Sequence, residues 1–376
     1  MVLASVGRRM SPPGRDPAAA PAASRGPALL APAYTGLASS RARTDSGALP
    51  TPFSQAAPLS LDFFGVAVFG YCLALVAFVL YLVFRRPFLG NVGLWLVLLS
   101  WPVHLASVVF RGLESGHWPL SNMYEYSTGI SLVLVTVALV LMLRHRMRLI
   151  GIPAMMLSVG LLGVGYMLYE PPGNLIPALQ SYWLYIHVTA MATASALLSF
   201  SFFFGMAYLA RRWADERLAP AASPVAGPEA VISTRPAQAS RTISGASRGS
   251  LSLAAVWAQG RGVAAAIQRA LPTAPFLDLW SYRFVLLGFP IWTFGVICGA
   301  IWGEHAWGRY WAWDPKETFA FITWVTFAIY LHARVTFGWK GKRAAAITAV
   351  GFVAVLFTLY AVNLWIVGLH SYARAS

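Results

Sequence analysis

The chain has 376 residues, of which 58% are hydrophobic and 11% charged, and its mean hydropathy is +0.62. That composition excludes a soluble globular protein and describes a polytopic membrane protein. The formal net charge of +15 raises nucleic acid as a partner, but the Lys and Arg residues cluster between apolar runs, where the positive-inside rule accounts for them, so no nucleic acid is expected.

Residues 1–60 are rich in Ala, Pro, Ser, Gly and Arg, almost free of acids and without apolar periodicity, and are expected to form a disordered N-terminal tail. Their Pro-rich and Ala-rich character argues against an amphipathic transit peptide; the tail reads as dispensable or as an over-long start, with Met10 an alternative. Eight apolar segments then follow, each long enough to cross a bilayer of ~30 Å. They run over 63–84, 92–110, 124–143, 149–169 and 182–210, in a first group spanning 61–210, and over 284–303, 317–336 and 344–369, in a second spanning 281–376. The predicted fold is therefore all-α with about eight transmembrane helices.

Cations alternate between the two ends of these segments. Arg85 and Arg86, Arg144, Arg146 and Arg148, Arg211, Arg212 and Arg217, and Lys340, Lys342 and Arg343 share one end, which is predicted cytoplasmic. The other end holds Arg111, Arg309, Lys316 and Arg374, so the connections 112–123, 170–181 and 304–316 and the C-terminus are predicted extracytoplasmic. This puts the tail outside despite its six arginines, a local violation that the eight-segment pattern outweighs. The connection 211–280 reads as a cytoplasmic linker, mostly disordered, with room for one short helix. Cys72 and Cys298 lie inside apolar runs and no C-x-x-C occurs, so neither a disulfide framework nor a thiol relay is encoded.

One polar interruption stands out. Trp307 to Glu317, WGRYWAWDPKE, gathers three tryptophans, a tyrosine, two cations and two carboxylates between the sixth and seventh segments. Its Asp314-Pro315-Lys316-Glu317 ending has an ordinary structural reading as a capping box: Asp as N-cap, Pro at the first helical position, Glu at the third. Asn122-Met123-Tyr124-Glu125 starts the third segment in a similar way. The tryptophans have two readings, a lipid-interface belt or a platform for a flat apolar ligand. A belt needs one or two per helix end, whereas Trp302, Trp307, Tyr310, Trp311 and Trp313 crowd one loop. If that loop is helical, Trp307 and Trp311 share a face at i, i+4. A porphyrin would stack there, Arg309 or Lys316 could pair with its carboxylates, and its iron would need axial ligands.

The histidines sort by depth. His370 ends the eighth segment, and His187 sits about five residues into the fifth, roughly 7 Å below the outer surface, so both are level with the Trp-rich loop. Either alone reads as a packing or interface residue; together they flank the aromatic platform. His332 lies about 22 Å down the seventh segment and cannot reach the same ligand. It reads as a second, deeper ligand position or as a histidine bonded to a neighbouring helix. His104 reads as core packing, and His117 and His145 as solvated.

Taken together, these residues resemble a known family. WGRYWAWDPKE resembles the "WWD" signature of haem-handling membrane proteins, and its DPKET continuation is similar to the CcsA type (also named CcsB or ResC) of the System II cytochrome c maturation pathway. The resemblance runs from about Leu61 to Tyr372 through GHWPLSNMYE (Gly116 to Glu125), SYWLYIHV (Ser181 to Val188), YLHAR (Tyr330 to Arg334) and GLHSY (Gly368 to Tyr372), in the expected order. It implies a haem b site at the WWD loop, 304–317, built from Trp307, Gly308, Arg309, Trp311, Trp313, Asp314 and Lys316, with His187 and His370 as external iron ligands and His332 as a transmembrane ligand. It also implies a separate ResB/Ccs1-type membrane subunit that supplies the second transmembrane ligand, an apocytochrome c whose C-x-x-C-H motif receives haem through two thioethers, and, indirectly, a thiol-reducing thioredoxin-like protein. Haem lyase activity is then expected only in complex with the partner, in the plasma membrane of a bacterium in preference to a thylakoid. The chain offers no general base, which suits a template better than an acid–base enzyme. Haem export, or haem delivery without catalysis, is the competing reading.

Overall fold

A computed structural model of the chain describes residues 58–173, 175, 177–219 and 253–366, with side chains from 260 onward in the last stretch. Most of the predicted tail, residues 220–252 of the long connection, and His370 lie outside these described residues. Ten α-helices are present among them: α1 (Leu59–Phe84), α2 (Pro87–Ser115), α3 (Met123–Arg144), α4 (Gly151–Met167), α5 (Tyr182–Leu218), α6 (Leu253–Ala270), α7 (Ala274–Trp307), α8 (Pro315–Thr336), α9 (Lys342–Leu356) and α10 (Val362–Trp365). A π-helical turn over Phe357–Ala361 joins α9 to α10. Eight spans are long and apolar enough to cross a membrane, α9 to α10 counting as one and α6 as none, so the protein is an all-α multi-pass membrane protein.

Helix boundaries follow from caps that the sequence carries. The Asn122 side chain accepts the Glu125 N–H at 2.9 Å to start α3. Asp314 and Glu317 form the capping box of α8, with Glu317 Oε2 taking the Asp314 N–H at 3.2 Å and the Ala312 N–H at 2.8 Å. α7 stops at Gly308, which takes φ +70° and returns its N–H to the Glu304 carbonyl at 2.7 Å.

The linker expectation for 211–280 changes at both ends. α5 continues to Leu218 and α7 begins at Ala274, with α6 between them. Polar partners rather than apolar periodicity hold these extensions: Arg211 donates to the Leu271 carbonyl at 2.6 Å, Gln268 donates to Asp215 at 2.8 Å, and Arg85 donates to the Ala266 carbonyl at 2.9 Å.

α5 is the central helix. Of its apolar window 72% is buried, against 22–56% in the other seven spans, and it packs on α3, α6, α7 and α9. Lipid tails are as apolar as the helices, so close approach of backbones must replace hydrophobic drive. Gly295 and Gly299 provide that approach on α7: a Cβ on Gly295 would stand 2.7 Å from Met191 Sδ, and one on Gly299 would stand 2.6 Å from the His187 ring, both on α5.

Polar contacts then lock the two ends. At the Arg-rich end Arg334 pairs with Asp278 at 2.7 Å, and Asp278 also accepts the Gly341 N–H at 2.9 Å. At the Trp-rich end the buried Arg111–Glu125 pair (2.8 Å) joins α2 to α3, and Arg111 donates to the Glu170 carbonyl at 2.7 Å.

Candidate functional site

A cavity opens at the Trp-rich end between the start of α3, α5, α7, the 308–314 loop, the start of α8 and the π-helical turn. It holds about 1100 Å³ of empty space, part of it open to solvent, and its walls are mostly apolar. His187, Trp302, Trp311 and Lys316 all line it. Thr358, Leu359 and Asn363 close one side, on and just after the π turn, a distortion that recurs at functional sites.

His187 is oriented by α7. Its Nδ1 lies 2.7 Å from the Gly295 carbonyl oxygen, which can only accept, so Nδ1 carries the proton and Nε2 the lone pair. The ring rests where Gly299 has no side chain, and it lies nearly parallel to the Trp302 indole, with centroids 6.2 Å apart and planes 15° apart. A carbonyl on one imidazole nitrogen is the usual way a protein sets the other nitrogen for a metal. Among the described residues no group of three or more His, Cys, Asp or Glu side chains could hold a bare metal ion. A single imidazole suits an axial bond to a metal already held in a macrocycle.

The expected tryptophans separate. Trp311 lines the cavity, and its Nε1–H is buried with no acceptor among the described residues. Trp307 lies outside the lining and packs edge-on against Trp302, with centroids 4.8 Å apart. Trp302, only 2% exposed, donates Nε1–H to the Ala178 carbonyl at 3.0 Å and forms the wall itself. Trp313 takes φ +57°, is 64% exposed and turns its ring onto Phe321 at 6.0 Å, outside the lining. The helical reading of the loop, with Trp307 and Trp311 on one face, does not hold. Gly308 ends α7 in the left-handed region and α8 restarts only at Pro315, so the i, i+4 relation never forms.

The cations separate too. Lys316 lines the cavity and its Nζ donates to Asn363 Oδ1 at 3.1 Å, whereas Arg309 is exposed and outside the lining. Gly308 is the α7 terminator, and Asp314, 7% exposed, caps α8 by accepting the Lys316 N–H at 3.2 Å.

His332 is exposed on α8, far down the helix toward the Arg-rich end, with Thr336 Oγ1 3.5 Å from its Nδ1. It borders a shallow groove with about 640 Å³ of empty space, much of it open to solvent, together with Ile329, Phe337 and Trp339 and separate from the cavity. His104 is buried, with Nδ1 3.2 Å from the Tyr71 hydroxyl, in keeping with core packing. His145 is exposed against Trp280, while His117 is half-buried, with one ring nitrogen 3.2 Å from the Gly173 carbonyl. His305, which carries no expectation from the sequence, is exposed at the end of α7 beside Glu304.

Sequence reasoning missed Trp292, Met191 and Asn363 as cavity walls. Each is embedded in an apolar run and carries no local signal. The α5–α7 pairing alone brings Met191 and Trp292 to the site.

The fold and site thus define a multi-pass helical membrane protein with an aromatic, histidine-bearing ligand cavity at one end. Residues 120–370 match the model of the family described as cytochrome C assembly protein. The cytochrome c biogenesis protein CcsA of Gloeobacter violaceus is 36% identical over 275 residues, 71% of this chain and 81% of its own length. Those of Crocosphaera subtropica (36% over 298 residues, 76% and 88%) and of a Synechococcus species (37% over 283 residues, 71% and 81%) are similar to the same extent. The chain belongs to the cytochrome c assembly protein family.

Proposed function

We propose that this chain serves cytochrome c maturation by holding haem b in the cavity and presenting it for thioether attachment to the C-x-x-C-H motif of an apocytochrome c. The observation that carries this reading is chemical: an imidazole with its Nε2 lone pair set, the Trp302 and Trp311 indoles and a lysine ammonium share one mostly apolar cavity. An axial ligand, a stacking wall and a carboxylate partner are the three things a haem needs. Similarity to relatives named for cytochrome c biogenesis supports the same reading.

In this reading His187 ligates the iron, Trp302 and Trp311 flank the ring, and Trp307 holds Trp302 in place. Lys316 takes a propionate; Arg309 and Trp313, both turned outward, contact the incoming apocytochrome at the rim. Gly308 and Asp314 set the loop that carries Trp311. His370, outside the described residues, would be a further ligand to the iron. Bound haem contributes two vinyl groups that accept thiols. The chain's residues contribute position, orientation and exclusion of water, and no proton-transfer group is required of them.

His332 belongs to a second contact. An ionisable side chain facing lipid is costly, so a helix of a ResB/Ccs1-type subunit covers it and the groove beside it. The Arg-rich end is cytoplasmic and the cavity extracytoplasmic, in a bacterial plasma membrane, with a thioredoxin-like protein keeping the substrate thiols reduced. Co-expression with the partner and an apocytochrome, scoring covalent haem on the cytochrome, tests the function. Covalent product that falls with His187→Ala is expected; haem transfer without thioether formation would instead make the chain an exporter or a delivery chaperone.

A further inference from the structure

The Arg-rich end carries a basic cluster around one indole. Arg144 stands immediately after the apolar run 124–143 and Arg283 immediately before the run 284–303, so the two mark the same boundary of the hydrocarbon core. The helices that carry them meet there on Trp280 of α7. The His145 ring, just past the end of α3, packs edge-on against the Trp280 indole with centroids 4.7 Å apart, and the Arg283 guanidinium lies 5.2 Å from the indole centroid. Trp280 itself is seated against Phe204 of α5 and Phe284, so a fixed ring holds a basic group from each helix at the surface. Arg144, His145, Arg146 and Arg283 are all exposed. Among the described residues three acids lie at this end, and each is engaged elsewhere: Asp215 with Arg211 and Gln268, Glu216 with Arg212 and Lys342, and Asp278 with Arg334. Arg144, Arg146 and Arg283 take part in no ion pair among those residues.

The residues on the bilayer side of these cations decide which anion fits. Val140 and Leu143 are exposed just before Arg144, and Leu286 and Leu287 are exposed one turn beyond Arg283. Helix positions three and four apart share a face, so Val140 lies in line with Arg144, and Leu286 and Leu287 in line with Arg283. Each helix thus presents hydrocarbon above and a cation at the boundary, the layout of a phospholipid with its acyl chains and its phosphodiester. A soluble anion would use the cations alone. We propose that Arg283 and the Arg144-His145-Arg146 turn bind the phosphodiester of an anionic phospholipid whose chains lie along the exposed leucines. Guanidinium groups donate paired N–H bonds to phosphate oxygens, and the imidazole adds one more. A choline headgroup brings its own ammonium, which this cluster repels, so the lipid must carry net negative charge. Bound there, it ties the inner ends of α3 and α7, two of the helices that frame the cavity at the opposite end. This inference stands apart from the haem reading.

The test is native mass spectrometry of the full chain purified in detergent and titrated with phosphatidylglycerol or, separately, with phosphatidylcholine. One phosphatidylglycerol per chain should bind about tenfold or more tightly than phosphatidylcholine, as expected for charge-assisted contacts to more than one cation. A single arginine near the membrane surface contributes about fivefold, so Arg283→Gln and Arg144→Gln should each weaken phosphatidylglycerol by about that factor and leave phosphatidylcholine unchanged. Arg343→Gln, exposed at the same end but stacked on Trp339, should leave the preference intact. Equal binding of the two lipids by the wild type overturns the proposal and needs no variant. A preference untouched by Arg283→Gln and Arg144→Gln, or reduced as much by Arg343→Gln, overturns the assignment to this cluster in favour of the diffuse charge of that end. Displacement of bound phosphatidylglycerol by inorganic phosphate overturns it in favour of a soluble anion.

Discussion

Replacing Gly299 with alanine probes the arrangement of His187 without touching His187. A Cβ at that position would lie 2.6 Å from His187 Cε1 and 2.7 Å from Nδ1, well inside contact distance. Both atoms belong to a rigid ring anchored on Gly295, so the clash cannot be relieved by the far end of a flexible chain. Either the ring swings away and loses its 2.7 Å hydrogen bond, worth about 1 kcal/mol, or α5 and α7 part at about 1–3 kcal/mol of overpacking. Disturbing an orienting contact of a metal-binding histidine typically costs about 10- to 100-fold in affinity, so haem retained by purified Gly299→Ala should fall by that order. Gly288→Ala is the matched control on the same helix pair: its Cβ would stand 3.0 Å from Leu198 Cδ2 and Cγ and 3.3 Å from Leu197 Cβ, residues outside the cavity lining. It should cost stability and spare haem. The assay is haem absorbance per protein together with the thermal midpoint in detergent. Wild-type haem content and spectrum in Gly299→Ala would refute the claim that this contact sets the ligand.

Further outcomes follow from the same geometry. Arg111 and Glu125 are 3% and 1% exposed, so Arg111→Met should destabilise by about 3–5 kcal/mol through the carboxylate it strands, and adding Glu125→Met should recover much of that loss in thermal unfolding; additive losses would contradict the pairing. Asp314→Ala removes a cap and should cost about 1 kcal/mol, with haem affinity altered far less than by Lys316→Met. His332→Ala, at an exposed position, should change the unfolding free energy of the isolated chain by no more than about 0.5 kcal/mol. In the partner complex the same variant should lose haem from the cavity, partly restored by imidazole, and wild-type loading there would remove His332 from the pathway.

The eight spans were legible because each is a long apolar run broken by charge, and a membrane leaves helices as the way to satisfy the backbone. The caps at Asn122 and Asp314 were legible because capping is local chemistry. The cavity was only half legible. Its histidine and its lysine stand in polar or motif-rich stretches, but Trp292, Met191 and Asn363 reach it through the α5–α7 pairing and the π turn, which no local pattern encodes. The shape of the WGRYWAWDPKE loop was not legible for a physical reason. Counting helical periods across Gly308 carries Trp307 and Trp311 onto one face, whereas left-handed residues at Gly308 and Trp313 break that period, leaving Trp307 behind Trp302, Trp311 on the cavity and Trp313 at the surface. The ends of the 211–280 connection were read as linker because polar contacts to Arg211, Asp215 and Arg85, not apolar periodicity, hold their helices.

The most direct test of the account is the absorption spectrum of the protein purified with haem, wild type beside His187→Gly, with and without added imidazole. A six-coordinate low-spin spectrum in the wild type, lost in His187→Gly and regained with imidazole, is the predicted result. Identical spectra in the two proteins, unmoved by imidazole, would contradict it.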